Sequence, residues 1–291
     1  MFRAQFYILV GKIPANRQKV SDTAPQTPDL NPSRPTARRW RRLRVIIALV
    51  MREMSTQYGK SPGGYIWAIL EPLGAIIILS VGFSLVMRSP SLGNSFILFY
   101  ATGYLPYDLF NKVSNRLMPA LRQSKNLLAY PTVKWVDVLA GRFILVVLTM
   151  GLVAYLLLAG ILIFQDTGSI VSYGPVLLAF LLAALLGAGA GMVNSVISGF
   201  LPVWISIWTI FTRPLFLASG ILLIYENLPT VAQNILYFNP LMHITGLART
   251  GFFPNYRPQY ISIIYVLVWI FILLAFGLLL LRRYHREIVN R

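Results

Sequence analysis

Apolar residues fall in six long runs along this chain, over 65–87, 95–111, 143–164, 176–197, 203–224 and 261–281. Each approaches or exceeds the roughly 20 residues that a bilayer-spanning helix needs. The pattern predicts an all-α integral membrane protein with six transmembrane helices. Three runs carry helix-disturbing residues: Glu71 and Pro72 lie about one and a half turns into the first, Gly103, Pro106 and Asp108 interrupt the second, and Arg213 and Pro214 lie near the middle of the fifth. The fourth holds Ala183, Gly187, Gly191, Ser195 and Gly199 at four-residue steps. Small residues on one face let helix backbones approach closely, so this run predicts a tight helix contact, within one subunit or between two.

Ahead of the first run the pattern changes twice. Residues 1–37 mix prolines with polar and basic residues and bury too little apolar surface to order themselves, which predicts a disordered cytoplasmic arm. Its patch Phe6 to Val10 is too short for a signal peptide and no cleavage site follows it. Over 38–57, Trp40, Leu43, Ile47, Val50, Met51 and Met54 recur at helical steps away from Arg38, Arg39, Arg41, Arg42 and Arg52. That predicts an amphipathic interfacial helix on the inner leaflet, leaving 58–291 as the six-span domain. The stretch 225–258 is apolar in places but broken by Pro229, Pro240, Gly246, Gly251, Pro254 and Pro258, which predicts short re-entrant outer segments before the last span.

The segment from Lys112 to Arg142 carries Lys112, Arg116, Arg122, Lys125, Lys134 and Arg142 against the single acid Asp137. The positive-inside tendency places it in the cytoplasm. Leu121, Leu127, Leu128 and Tyr130 within it suit a short interfacial helix that a partner protein could grip and that Pro131 stops. A solvated loop whose charges only enforce topology fits equally well. Of the 26 lysines and arginines, 12 precede the first span, six lie in this connector and four in the tail, leaving Arg88, Arg249 and Arg257 outside and Arg213 within the fifth span. Both termini are therefore expected in the cytoplasm.

Composition agrees: 56% of residues are hydrophobic and 12% charged, too apolar for an ordinary soluble domain. The net charge of +17 gathers beside the spans, which points to topology and lipid headgroups rather than nucleic acid. Cysteine is absent, and His243 and His285 stand apart without a ligand cluster, so no metal is expected. Tyr58 to Ser61 ends like a phosphate-binding loop, but Met54 occupies the position where that loop needs its first glycine. No ATP site or catalytic residue is expected in this chain.

Ionisable groups in spans cost about 2.5 to 3.5 kcal/mol at mid-helix on insertion scales. Arg213 is accordingly either a functional residue, a partner for a carboxylate on another helix, or a side chain that snorkels to an interface. Glu71 with Pro72 reads as a hydrogen-bonded hinge, and His243 as a packing residue rather than a proton carrier. Tyr100, Tyr104 and Tyr107 share one face of the second run with Phe110, and Trp204, Trp208 and Phe211 run along the fifth. Such a face either lines a channel or packs on a neighbouring helix. A secondary transporter would need coupling charges and related halves, and a membrane enzyme a catalytic constellation; neither pattern is visible.

Three stretches carry a resemblance. Arg52-Glu53 with Tyr58, Gly64-Tyr65, Trp67 and Glu71-Pro72 resembles the entry to the first span in membrane subunits of ATP-binding cassette exporters of bacterial polysaccharide. Ala101 to Tyr107 and Tyr130-Pro131 to Asp137 resemble the second span and connector of the capsule-exporting branch. Asn239-Pro240-Leu241-Met242-His243 with Arg249 to Phe253 is similar to its outer segment. The resemblance covers most of the chain beyond Arg52. It implies a homodimer in the bacterial inner membrane with two cytoplasmic ATPase subunits, which bind ATP and Mg and dock through Arg122, Lys125, Leu127, Leu128 and Tyr130. It implies a lipid-linked polysaccharide as cargo, capsular before O-antigen or teichoic-acid types, with periplasmic and outer-membrane export proteins as further partners. A drug or lipid is the rival cargo. Tyr100, Tyr104, Tyr107, Phe110, Trp208 and Arg213 are the expected channel residues; Glu71, Pro72, Gly187, Gly191 and His243 are the expected structural or gating ones.

Overall fold

A computed structural model describes residues 35–58, 63–130, 132–165 and 171–290, with side chains from Leu43 onward except at Tyr58. The expected arm up to residue 34, the Gly59 to Ser61 stretch, Pro131, the loop containing Asp166 and the terminal Arg291 lie outside the described residues. The chain divides into a unit of Met1–Arg38 and a unit of Arg39–Arg291, and the contacts below belong to the second.

Among the described residues every regular element is helical. Helix α1 spans Pro35–Tyr58, α2 Gly64–Ser84 and α3 Phe96–Leu117. Two single turns follow, α4 (Ala120–Gln123) and α5 (Lys125–Leu128). Then come α6 (Trp135–Phe164), α7 (Tyr173–Phe200), α8 (Trp204–Ala218), α9 (Thr230–Leu236), α10 (Pro240–Thr250) and α11 (Ile263–Asn290). Four of these, α2, α6, α7 and α11, are long and apolar enough to cross a membrane.

The other two expected spans differ from that pattern. Helix α3 has 22 residues but carries Asp108, Lys112 and Arg116. It is not interrupted at Gly103, Pro106 or Asp108 and runs on past Asn111 to Leu117, because Val113 and Leu117 are buried against α7. Helix α8 has 15 residues, about 22 Å, and ends at Ala218 instead of Ile224. Ser219 to Ile224 turns away there, with Gly220 at a positive φ of 71° packed against Met242.

The ends of the elements also shift. Pro35 to Ala37, expected in the arm, open α1, as proline suits a first helical turn. The connector shrinks to Met118–Lys134, since Lys112 and Arg116 belong to α3 and Arg142 to α6. The Lys134 N–H donates to Asp137 Oδ2 (3.0 Å), which caps the start of α6 well before the expected Phe143. Arg282, Arg283 and Arg286 of the basic tail lie in the last turns of α11.

Helix α3 is the hub, packed on α2, α6, α7 and α10. The small-residue stripe of α7 makes that possible. A Cβ on Gly187 would sit 2.7 Å from the Phe110 carbonyl oxygen, and one on Gly191 would sit 2.8 Å from Leu117 Cβ. On other faces Gly189 admits Leu273 and Gly199 admits Ile288 of α11, while Gly277 of α11 admits Met192. The tight contact therefore lies within one chain. At one end of the bundle Arg122 donates to the Ser198 carbonyl oxygen (3.4 Å) and Trp135 stacks on His285. The connector, the α7–α8 turn and the α11 tail thus share that end. At the other, Ser95 bonds Gln165, Ser172 N–H donates to the Gly251 carbonyl (2.8 Å), and Gly93 abuts Phe253.

Gly187→Ala and Gly191→Ala are expected to lower membrane abundance and thermal stability, because the new methyl meets backbone. Gly151→Ala on α6, which has nothing within 4 Å, is expected to be neutral or to gain up to about 1 kcal/mol of helix propensity. Equal behaviour of the three variants in detergent melting would show that the stripe does not set the packing.

Candidate functional site

Polar chemistry inside the bundle concentrates in one cleft of about 640 Å³ between α2, α3 and α6, beside the connector. Lys112 Nζ lies 3.1 Å from Glu71 Oε2 and 3.3 Å from Asp108 Oδ2. Asp108 is only 4% exposed, so its carboxylate depends on that ammonium; Glu71 is exposed. Pro72 beside it is buried. Glu71, read with Pro72 as a hydrogen-bonded hinge, has its bond across to Lys112 of α3.

A second ion pair fastens α1. Arg142 Nε lies 3.2 Å from Glu53 Oε1, and Nη1 donates to Gln123 Oε1 (2.8 Å) and to the Arg116 carbonyl (3.3 Å). Arg142, expected as a topology charge, is thus buried and links α1, α3, α4 and α6. Gly141 lets Leu49 of α1 approach the same turn, while Leu43, Ile47 and Met51 form an exposed apolar stripe on α1.

Arg249 was counted among the outer basic residues, and the structure encloses it completely. Its Cζ lies 4.2 Å from the centre of the Phe99 ring, and Nη2 donates to the Ile221 carbonyl (2.9 Å). A Cβ at Gly103 would meet Nη2 at 2.9 Å, which accounts for that glycine. The guanidinium pins α10 and the turn after α8 to α3. Nearby, Tyr256 donates to Glu226 Oε2 (3.1 Å) and Tyr225 stacks on Tyr260 at 4.2 Å. Burial pushes the Tyr260 hydroxyl up to about 12 and the Tyr256 hydroxyl higher, so both remain donors. His243 accepts from Ser262 N–H at Nδ1 (3.2 Å), so Nε2 carries the proton and donates to the Tyr237 carbonyl (2.8 Å). Burial pushes its pKa below the usual range and favours this neutral form.

The aromatic face of α3 is largely covered by its own chain. Tyr100 is buried against Phe83 and Phe99, and Phe110 packs where Gly187 approaches. Tyr107 donates to the Thr212 carbonyl (2.7 Å) and meets Phe216 edge-on. Tyr104 is partly exposed beside Phe216. Trp208 is half-buried and stacked on Phe211. Arg213 lies exposed on α8 among Ile210, Phe211 and Leu217, with no ion pair or hydrogen bond among the described residues.

In the connector, Arg122, Lys125 and Tyr130 are exposed, Tyr130 by 63%, while Leu127 and Leu128 are half-buried and Leu127 faces Leu49 and Arg52 of α1. Glu53, Asp108, Lys112, Arg142 and Arg249 are residues whose pairing sequence reasoning missed. Acids are scarce enough here that Glu53 and Asp108, each within a helical pattern, were the available signal.

Long apolar helices around a charged, largely self-satisfied interior define a polytopic membrane domain. The chain belongs to the ABC-2 type transporter family, whose profile matches residues 44–253. It is 30% identical to the polysialic acid transport protein KpsM of Escherichia coli over 235 residues, covering 81% of this chain and 91% of that protein. The capsule polysaccharide export inner-membrane protein BexB of Haemophilus influenzae is 28% identical over 247 residues, with 84% and 92% covered. The capsule polysaccharide export inner-membrane protein CtrC of Neisseria meningitidis serogroup A is 26% identical over 247 residues, with 84% and 92% covered.

Glu53→Ala is expected to cost about 3 kcal/mol by stranding the buried Arg142 guanidinium. Adding Arg142→Met should recover most of that loss. Melting of the purified single and double variants measures both, and a double variant no more stable than the single would show that the pair is not the cause.

Proposed function

We propose that the chain is the permease subunit of an ATP-driven exporter that moves lipid-linked capsular polysaccharide across the bacterial inner membrane. The observation that carries this is the match to capsule-export and polysialic acid transport proteins over more than nine-tenths of their length. In this reading six helices span the membrane, with α3 and α8 joining the four long apolar ones. The segment from Ser219 to Ser262 re-enters from the outer face, and both termini are cytoplasmic, as the distribution of lysine and arginine favours. ATP and Mg bind a separate cytoplasmic subunit, and two such subunits dock on a homodimer through the connector.

Arg213 supports a pathway along α8. An exposed cation without a partner on an apolar helix face is costly against lipid and tolerable against water or a partner. With α8 facing its copy across a wet pathway, Arg213, Trp208 and the half-open Tyr104 would meet the sugar chain, while Tyr100, Tyr107 and Phe110 support them from behind.

Deleting the protein should abolish surface polysaccharide, and re-expression should restore it. Unchanged surface glycan in the deletion strain would overturn the function. Arg213→Glu should reduce export sharply with abundance and ATPase copurification intact; full export would remove α8 from the pathway.

Tyr130→Asp tests the connector. The side chain is exposed, so folding should not change, whereas an unpaired charge in an apolar docking surface should weaken copurification of the ATPase and export together. Leu127→Asp is a poorer probe, because it would also disturb α1.

A further inference from the structure

The cleft holding Glu71, Asp108 and Lys112 is not accounted for by a pathway along α8, and nothing in the packing requires it to be open. Resting on the export reading, we propose that this cleft is a saccharide subsite, which holds a sugar unit of the cargo beside the connector. Its volume of about 640 Å³ falls within the roughly 300–1,000 Å³ of small-molecule sites. Its formal charges cancel, with Glu71 and Asp108 against Lys112 and Arg116, and Lys112 already serves both carboxylates. A phosphate would therefore find two acids and one uncommitted cation, whereas a hydroxyl-rich, uncharged face finds acceptors held in place.

The amides supply the other half of the chemistry. Asn115 Nδ2 donates to Asn111 Oδ1 (2.9 Å), which leaves the Asn111 amide donor and the Asn115 carbonyl without partners among the described residues. Neighbouring sugar hydroxyls act as both donor and acceptor, so they can satisfy such a pair together with a carboxylate. Trp67 of α2 lines the same cleft, 62% exposed, and presents a flat apolar ring suited to the C–H face of a pyranose. The Lys112 pairs then have a role beyond joining α2 to α3: they orient Asp108 inside the cleft.

The test uses the full chain in cells that make glycan from a radiolabelled sugar precursor. A benzophenone amino acid replaces Asn115 in the cleft, Phe211 on α8, or Tyr155, an exposed apolar position of α6. Sugar label captured at 115 and absent at 155 is the expected result. Label at 211 with none at 115 overturns the subsite and leaves the export reading standing, and lipid without sugar at 115 does the same. No sugar at either 115 or 211, in cells whose surface glycan survives loss of the protein, overturns both. Independently, the pair Asn111→Leu and Asn115→Leu, which leaves the Lys112 contacts in place, should lower surface polysaccharide at unchanged abundance and ATPase copurification. Full export by that pair would also overturn the subsite.

Discussion

Close approach between backbones, made possible by glycine, is the constraint on which the bundle depends. In lipid, apolar side chains gain little by leaving one apolar medium for another, so helices associate through packing contacts that close distance strengthens. Helix α7 uses Gly187 and Gly191 for α3, and Gly189 and Gly199 for α11. One helix thereby holds two others, and α3, set against it, receives α2, α6 and α10. The burial of Phe110, Val113 and Leu117, and the orientation of the α3 aromatics, follow from how deeply α3 sits against α7.

The second organising feature is the pairing of charge. Ions that would be expensive in an apolar bundle are placed where each has a defined partner. Glu53 meets Arg142, Asp108 and Glu71 share Lys112, and Arg249 has the Phe99 face and the Ile221 carbonyl. Each contact also joins elements distant in sequence, so charge fastens α1 to α6, α2 to α3 and α10 to the turn after α8. Arg213 departs from this rule. A cation left exposed on an apolar helix face is the residue that the fold of one chain does not explain and that an aqueous pathway would.

The two ends of the bundle gather different elements. One gathers the connector, α1, the α7–α8 turn and the α11 tail, where Arg122, Lys125 and Tyr130 are exposed. The other gathers loops held together by Ser172, Gly251, Gly93 and Phe253. Helix α3 runs between them, carrying Asp108 and Lys112 toward the connector and Tyr100 toward the loops. The Glu71–Lys112 contact joins α2 to α3 beside the cleft.

The sequence alone determined the all-helical membrane character, the places of α2, α6, α7 and α11, the amphipathic α1 and the family. Those features follow from run length, helical periodicity and short motifs, which are local properties. The small-residue stripe was visible in the same way, but not which helix it would admit. Only the tertiary structure decided that α7 closes on α3 and α11 of its own chain, and that α3 continues through Pro106 to Leu117. It also decided that α8 stops at Ala218, and that Arg142 and Arg249 are interior residues. A lysine or arginine reads alike in sequence whether it faces water, lipid headgroups or a buried carboxylate; the partner that settles which lies on another helix, as Glu53 does for Arg142 and Phe99 for Arg249.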